Sequence, residues 1–180
     1  MASIVERLRE SAKWKIMRFN SAEHYLQFKR YLEEGISEEV LFGMACRPYG
    51  LSRFFGNVLL DEGIAELHAL ICATGAVKWD NTNAYLGVGD DNTAPDPAQT
   101  GLIGTDQYNS MEATYPTFAS EITTWRAEYA SGEANFAWEE YSISNTSGGD
   151  TGENLNRATS SEGTKQSGQV WTLDLAITWS

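Results

Sequence analysis

Several groups of residues in this 180-residue chain have types and spacing that could do chemistry. Glu139 and Glu140 adjoin Trp138, which puts a carboxylate pair beside an aromatic platform, as a glycosidase requires. Adjacent strand residues point to opposite faces, so the two carboxylates flank one bond only if the chain bulges there. Asp90, Asp91, Asn92 and Asp96 make an oxygen-rich stretch of the kind that holds calcium. It lacks the Asp-x-Asn-x-Asp-Gly spacing and distant Glu of an EF-hand, and a solvated turn is the expectation. Gly87-Val88-Gly89 opens like a dinucleotide fingerprint, but Asn92 replaces the third glycine, and Pro95 and Pro97 stand where a helix should begin. His24 and His68 fall on predicted helices with no neighbouring cysteine or serine motif, and no Gly-x-Ser-x-Gly elbow occurs. The expectation is no catalytic residue, no cofactor and no metal. Cys46 and Cys72 read as small buried hydrophobes.

Six tryptophans remain to be explained. Trp125, Trp138, Trp171 and Trp179 fall in predicted strands, where a sandwich core accounts for them first and a sugar-stacking or protein-binding face second. A carbohydrate-binding or hydrolytic sandwich using Glu139 or Glu140 is the alternative from a different class. Trp14 and the run Arg53-Phe54-Phe55-Gly56 set apolar groups between charges. Trp14, Phe54 and Phe55 are therefore the candidate protein-interface residues.

The elements that position these groups change character near Val77. Residues 1–77 hold 9 basic and 10 acidic side chains, and residues 78–180 hold 4 and 15. Ser, Thr and Asn number 8 before the boundary and 32 after it, a shift toward turn and strand composition. Ser3 with Glu6 forms a capping box, and Ile4, Leu8, Ala12 and Ile16 give the following segment an apolar stripe at helical spacing. Asn20 with Glu23 starts a second helix, lined by Ala22, Tyr25, Phe28 and Leu32 and ended by Gly35. Ser37 starts a short third helix that stops before Pro48, and a fourth spans about residues 61–73.

Beyond residue 77 the period becomes two. Trp171, Leu173, Leu175, Ile177 and Trp179 alternate with smaller or polar residues, as do Thr123, Trp125, Ala127 and Tyr129. Residues 83–89 and 135–144 are further strands. In the latter Phe136 and Trp138 differ in parity from Tyr141 and Ile143, which predicts a bulge at Glu139–Glu140 in preference to a strand covered on both faces. The reading is α+β: a helical N-terminal arm or subdomain over 1–77, followed by an antiparallel β-sandwich, jelly-roll or Ig-like, over 78–180.

Charge excludes whole classes of partner. Thirteen basic against 25 acidic residues leave −12, without the basic footprint of a nucleic-acid or anionic-membrane binder. No apolar run is long enough to span a bilayer, and residues 1–11 read as a charged helix in place of a secretion signal, which predicts synthesis and assembly in a cytoplasm.

The order Gly56-Asn57-Val58-Leu59-Leu60-Asp61-Glu62-Gly63, Asn83-Ala84-Tyr85-Leu86-Gly87-Val88-Gly89-Asp90 and Gln99-Thr100-Gly101-Leu102 resembles structural proteins of tailed bacteriophages. Gly132 to Glu140, Leu155-Asn156-Arg157, Gly163-Thr164-Lys165 and Trp171-Thr172-Leu173 are similar to the same family's β-domain, and to small domains of tail-collar fibres. The similarity covers about residues 56–180. It implies a virion component that joins protein subunits, foremost a capsid decoration (cement) protein bound to the major capsid protein. A neck, collar or tail-fibre protein is the alternative. It also implies a homo-oligomer, most simply a trimer, with Trp14, Phe54 and Phe55 toward the capsid and the acidic β-domain outward.

Overall fold

A strand whose alternate residues are Trp171, Leu173, Leu175 and Ile177 must lie inside a sheet, with that face against a second layer. This is where β10 (Val170–Thr178) lies, in the computed structural model, which describes residues 12–148 and 151–179. The architecture is α+β, with two antiparallel five-stranded sheets sharing one core in the manner of a β-sandwich. Sheet A runs in the order β2 (Gly50–Phe55), β1 (Ala12–Phe19), β10, β7 (Ile122–Tyr129), β6 (Thr117–Ala119). Sheet B runs β3 (Val58–Leu59), β9 (Asn154–Thr159), β8 (Glu140–Ser144), β4 (Tyr85–Gly89), β5 (Asp106–Ser110).

The main core lies between the sheets. Trp14, Ile16, Trp125, Tyr129, Trp171 and Leu173 come from sheet A and meet Leu86, Val88, Tyr141, Ile143 and Leu155 from sheet B. Large buried rings need partners for their polar atoms. Trp14 Nε1 donates to the Gly56 carbonyl at 2.8 Å, Trp125 Nε1 to that of Trp79 at 2.9 Å, and the Tyr129 hydroxyl to that of Leu86 at 2.6 Å.

The other face of sheet A carries a second core. Met17, Phe19 and Val170 pack under α1 (Ala22–Glu33), through Tyr25 and Phe28, and under α2 (Glu38–Leu41), through Leu41. Helix α1 starts one residue later than its expected cap, because Ser21 Oγ accepts the His24 amide at 3.2 Å. Helix α3 (Asp61–Cys72) agrees with its expected span, but Leu67 and Leu70 supply its core contacts while Ile71 stands exposed.

Three expectations need correction. The helix expected from Ser3 to Ile16 falls partly outside the described residues, and its described portion is strand β1. Positions 12 and 16, four apart, share one face of a helix and equally one face of a strand, and Trp14 between them completes the strand face. Strands β1 and β2 come from the first 77 residues yet pair within the sheet that holds β10, so the change of composition near Val77 is not a sheet boundary. At Glu139–Glu140, where a bulge is expected, the chain is irregular: the register shifts by two residues between the Ala137–Thr164 bridge and the Glu140–Thr159 pair that opens β8, the Glu139 amide donates to the Gly89 carbonyl although Gly89 pairs with Glu140, and Trp138 and Tyr141, of opposite parity, both reach the main core. Cys46 is buried as expected, but Cys72 is exposed at the end of α3.

Trp14 is 0% exposed and Phe55, one register position away on the paired strand and facing the other side of the sheet, is 66% exposed. Trp14→Ala should lower the unfolding free energy by about 3–5 kcal/mol. Phe55→Ala should change it by no more than about 0.5 kcal/mol. Urea denaturation of both variants checks this, and equal losses would contradict the placement of the two rings.

Candidate functional site

The outward side of sheet B consumes the chemistry that the acidic residues suggested. Glu140 is fully buried beneath the loop 90–105 and pairs with buried Arg157, Nη2 to Oε2, at 2.7 Å. Its carboxylate also accepts the amides of Ile103, at 3.1 Å, and Gly104, at 2.8 Å. Arg157 Nη1 donates to the Thr93 carbonyl at 2.9 Å and to Gln99 Oε1 at 3.0 Å. The pair therefore clamps the loop to the sheet, and Glu140 has no free lone pair facing a cleft. Glu139 accepts from the Ser161 hydroxyl at 2.8 Å, so the two carboxylates are held by different partners, Glu140 by Arg157 and the loop.

The same clamp explains the Gly87-Val88-Gly89 motif. A Cβ on Gly89 would come within 2.4 Å of Glu140 Oε1, and one on Gly87 within 2.4 Å of the Tyr108 ring. Both glycines allow a side chain to lie flat on the strand, which is a packing role. The acidic loop closes on itself: Asp90 accepts the Thr105 amide, Asp91 that of Thr93 and Asp96 that of Ala98, at 2.6–2.9 Å. Among the described residues no cluster of His, Cys, Asp or Glu is arranged to hold a metal ion.

The tryptophans are core. Trp125, Trp138 and Trp171 are buried, and Trp179 is half-buried with its Nε1 on Thr123 Oγ1 at 3.0 Å. His24 Nδ1 faces the Asn20 amide at 3.4 Å, and His68 stands exposed on α3.

Sequence reading missed a polar row that crosses the outer face of sheet A. Register aligns Arg53 on β2, Lys15 on β1, Asp174 on β10 and Arg126 on β7. Asp174 sits between two cations, with Lys15 Nζ at 2.7 Å and Arg126 Nη2 at 2.6 Å. Glu38 descends from α2 onto the same cations, reaching Lys15 at 2.8 Å and Arg126 at 2.5 Å. Burial alone would raise both carboxyls, but the Arg126 charge, aided by Lys15, holds each below its ordinary value. Beside the row lies a cleft of about 500 Å³ lined by Lys29, Leu32, Glu112, Tyr115 and Arg126 among others. Lys29 pairs with Glu112 at 3.1 Å, the Tyr25 hydroxyl donates to Glu112 at 2.5 Å, and burial pushes the Tyr115 phenol up to about 12. Both of its cations are paired with carboxylates, Lys29 with Glu112 and Arg126 with Glu38.

The three interface candidates separate. Trp14 is sealed in the main core, which corrects its assignment to a partner-facing surface: its ring stacks on Phe54 at 6.1 Å and meets Tyr141 at 5.7 Å. Phe54 is half-buried on the same inward face, 4.9 Å from Tyr141. Phe55 points the other way and is exposed, together with Leu51 and Arg53 on alternate positions of β2. Strand β2 ends sheet A, and among the described residues no strand pairs with its outer side. The candidate functional site is this edge.

Compared with known protein families, curated proteins and solved structures, the chain matches none.

Removing one member of the Glu140–Arg157 pair leaves a buried charge without its partner, so Glu140→Gln should cost about 3–5 kcal/mol of stability, read by thermal or urea unfolding. A loss below about 1 kcal/mol would mean that the site is wet. The sheet A carboxylates carry a pH dependence. Because Asp174 and Glu38 are held low in the fold, their contribution is complete above the ordinary carboxylate range, about pH 4 to 4.5, and is lost as pH falls through their lower folded values. Asp174→Asn should therefore flatten the acid limb of the stability–pH curve, and an unchanged limb would show that the cations do not act on Asp174.

Proposed function

We propose that the chain is a non-enzymatic structural component of a tailed-phage virion, a capsid decoration protein that binds and stabilises the assembled head. The observation that carries this reading is the β2 edge, where exposed Leu51 and Phe55 flank an unpaired strand side, a surface suited to adhesion between subunits. The sequence resemblance over residues 56–180 points to the same class. The inward tryptophans and the Glu140–Arg157 clamp weigh against a sugar-stacking or glycosidic alternative, because the residues it needs are already engaged.

In this role the sandwich, of the jelly-roll or immunoglobulin-like kind, is a rigid spacer. The partner is the major capsid protein or another virion subunit, without nucleic acid or membrane, and the chain assembles as a homo-oligomer, most simply a trimer. Each copy contributes binding free energy only where the shell is assembled, so many weak contacts stabilise it by mass action. A charge of −12 keeps free copies apart in the host cytoplasm before they join the virion.

Copy number tests the reading. Quantitative mass spectrometry of purified particles should give a ratio to the major capsid protein of about one, or a simple fraction such as about one third. About three to twelve copies per particle would move the chain to the neck, collar or tail fibre. Absence from particles would overturn a virion role.

A further inference from the structure

We propose that β2 is a docking edge for an extended segment of another protein that carries an acidic residue between two apolar ones and adds to sheet A as a sixth strand. This rests on the reading of the chain as an adhesive subunit and names the chemistry of what adheres.

The first argument is the edge itself. At six residues β2 is the longest terminal strand of the two sheets: β6 and β3 have three and two residues, and β5 has five and is tied down by Asn109, whose side chain donates to Glu128 and Glu133. Edge strands are ordinarily blunted by shortness, proline, a bulge or charged side chains, and of these β2 has only the charges of Arg53 and neighbouring Lys13. Gly50–Phe55 contains no proline and pairs with β1 in unbroken register along its whole length. Its outer side offers the backbone groups of alternate residues, as strand addition requires.

The second argument is charge. The row Arg53, Lys15, Asp174, Arg126, with Glu38 above it, holds three cations and two carboxylates. Lys15 and Arg126 share both carboxylates, so the surplus positive charge stands on Arg53 at the end of the row, beside the like charge of Lys15. Lys13, opposite Phe55, is exposed, and its ammonium lies 5.5 Å from the Phe55 ring. Among the described residues neither Arg53 nor Lys13 has a carboxylate partner. In a chain of net charge −12 this edge is a basic island. A carboxylate opposite Arg53 on a sixth strand continues the row with the missing sign, and apolar residues two positions to either side cover Leu51 and Phe55.

A second copy of this chain fits less well. Two-fold pairing of β2 with itself brings the two Arg53 side chains opposite or diagonal to each other, a destabilising arrangement, and joins two bodies of the same large net charge.

The test titrates the full chain, labelled for NMR, with the synthetic peptide Ser-Val-Thr-Glu-Thr-Val-Ser and with its counterpart carrying Lys in place of Glu. The Glu peptide should move the amide signals of residues 50–55, and bind about fivefold more tightly than the Lys peptide. Arg53→Glu, a change at an exposed side chain, should reverse the order, and Ser52→Pro should abolish both interactions while the remaining spectrum keeps its dispersion. Equal binding of the two peptides, shifts away from β2, or no binding of either would overturn the proposal. So would concentration-dependent self-association of the free chain that Ser52→Pro removes, since the occupant would then be a second copy. Particle copy number is independent of these titrations, so loss of the virion role and loss of the edge's charge preference are separately visible.

Discussion

Asp174 is a carboxylate buried near the middle of sheet A, and the outer half of the molecule is arranged around the need to keep it charged there. Ionised and unpaired, such a group costs several kcal/mol. Two cations on the flanking strands, Lys15 and Arg126, answer it in register, and together they exceed it by one charge. Glu38 balances that excess from above. The balance explains why α2 lies where it does: its first residue closes a charge set whose other members belong to the sheet, while Leu41 and the second core fix its remaining side. Helices α1 and α2 are thus attached to sheet A by the Glu38 ion pairs, by Lys29, which reaches Glu112 and Glu128, and by the apolar second core, and sheet A is buried on both faces except at its margins, the short β6 and, at the other side, β2. The candidate site is the β2 margin.

On sheet B the same logic appears with a loop in place of the helices. The Glu140–Arg157 pair is held in a buried site by the loop 90–105, which gives the carboxylate the amides of Ile103 and Gly104 and gives Arg157 Nη1 the oxygens of Thr93 and Gln99. The groups that look reactive in sequence are the groups that carry this burial. A carboxylate beside a tryptophan reads as catalytic in one dimension, and the register of β8 with β9 turns it into a strut.

How far the fold can be read from sequence depends on whether a pattern distinguishes period two from period 3.6. β10 and β7 run long enough for alternation to exclude a helix, and α1 and α3 carry caps or acidic first turns. β1 does not distinguish them, because Ile4, Leu8, Ala12 and Ile16 recur every four residues, a spacing that both periods satisfy; the evidence for a strand is Trp14 between lysines. β2 is harder, since an edge strand has one neighbour and half its residues face water. Phe55 is visible as an exposed aromatic from its charged surroundings, and Trp14 resembles it locally, but only the pairing of the sheets separates the two. The charged row is invisible in sequence: residues 15, 53, 126 and 174 meet through three strand registers that no local pattern encodes.

The margin left by these arrangements has two consequences that pull together. An open strand edge with Leu51 and Phe55 exposed invites indiscriminate pairing, and Arg53 and Lys13 limit it by repelling any edge of like charge, including the chain's own. The same two cations admit an acidic strand, so selectivity arises from the residues that prevent aggregation. Long-range repulsion among chains of charge −12 then acts with a short-range local attraction, which keeps free copies dispersed until a partner presents the complementary edge. A single six-residue edge gives a weak contact by itself, and repetition over a symmetric assembly turns weak contacts into firm attachment. On the proposed reading, the buried Asp174 and the adhesive edge belong to one charge row, satisfied at its centre and left open at its end.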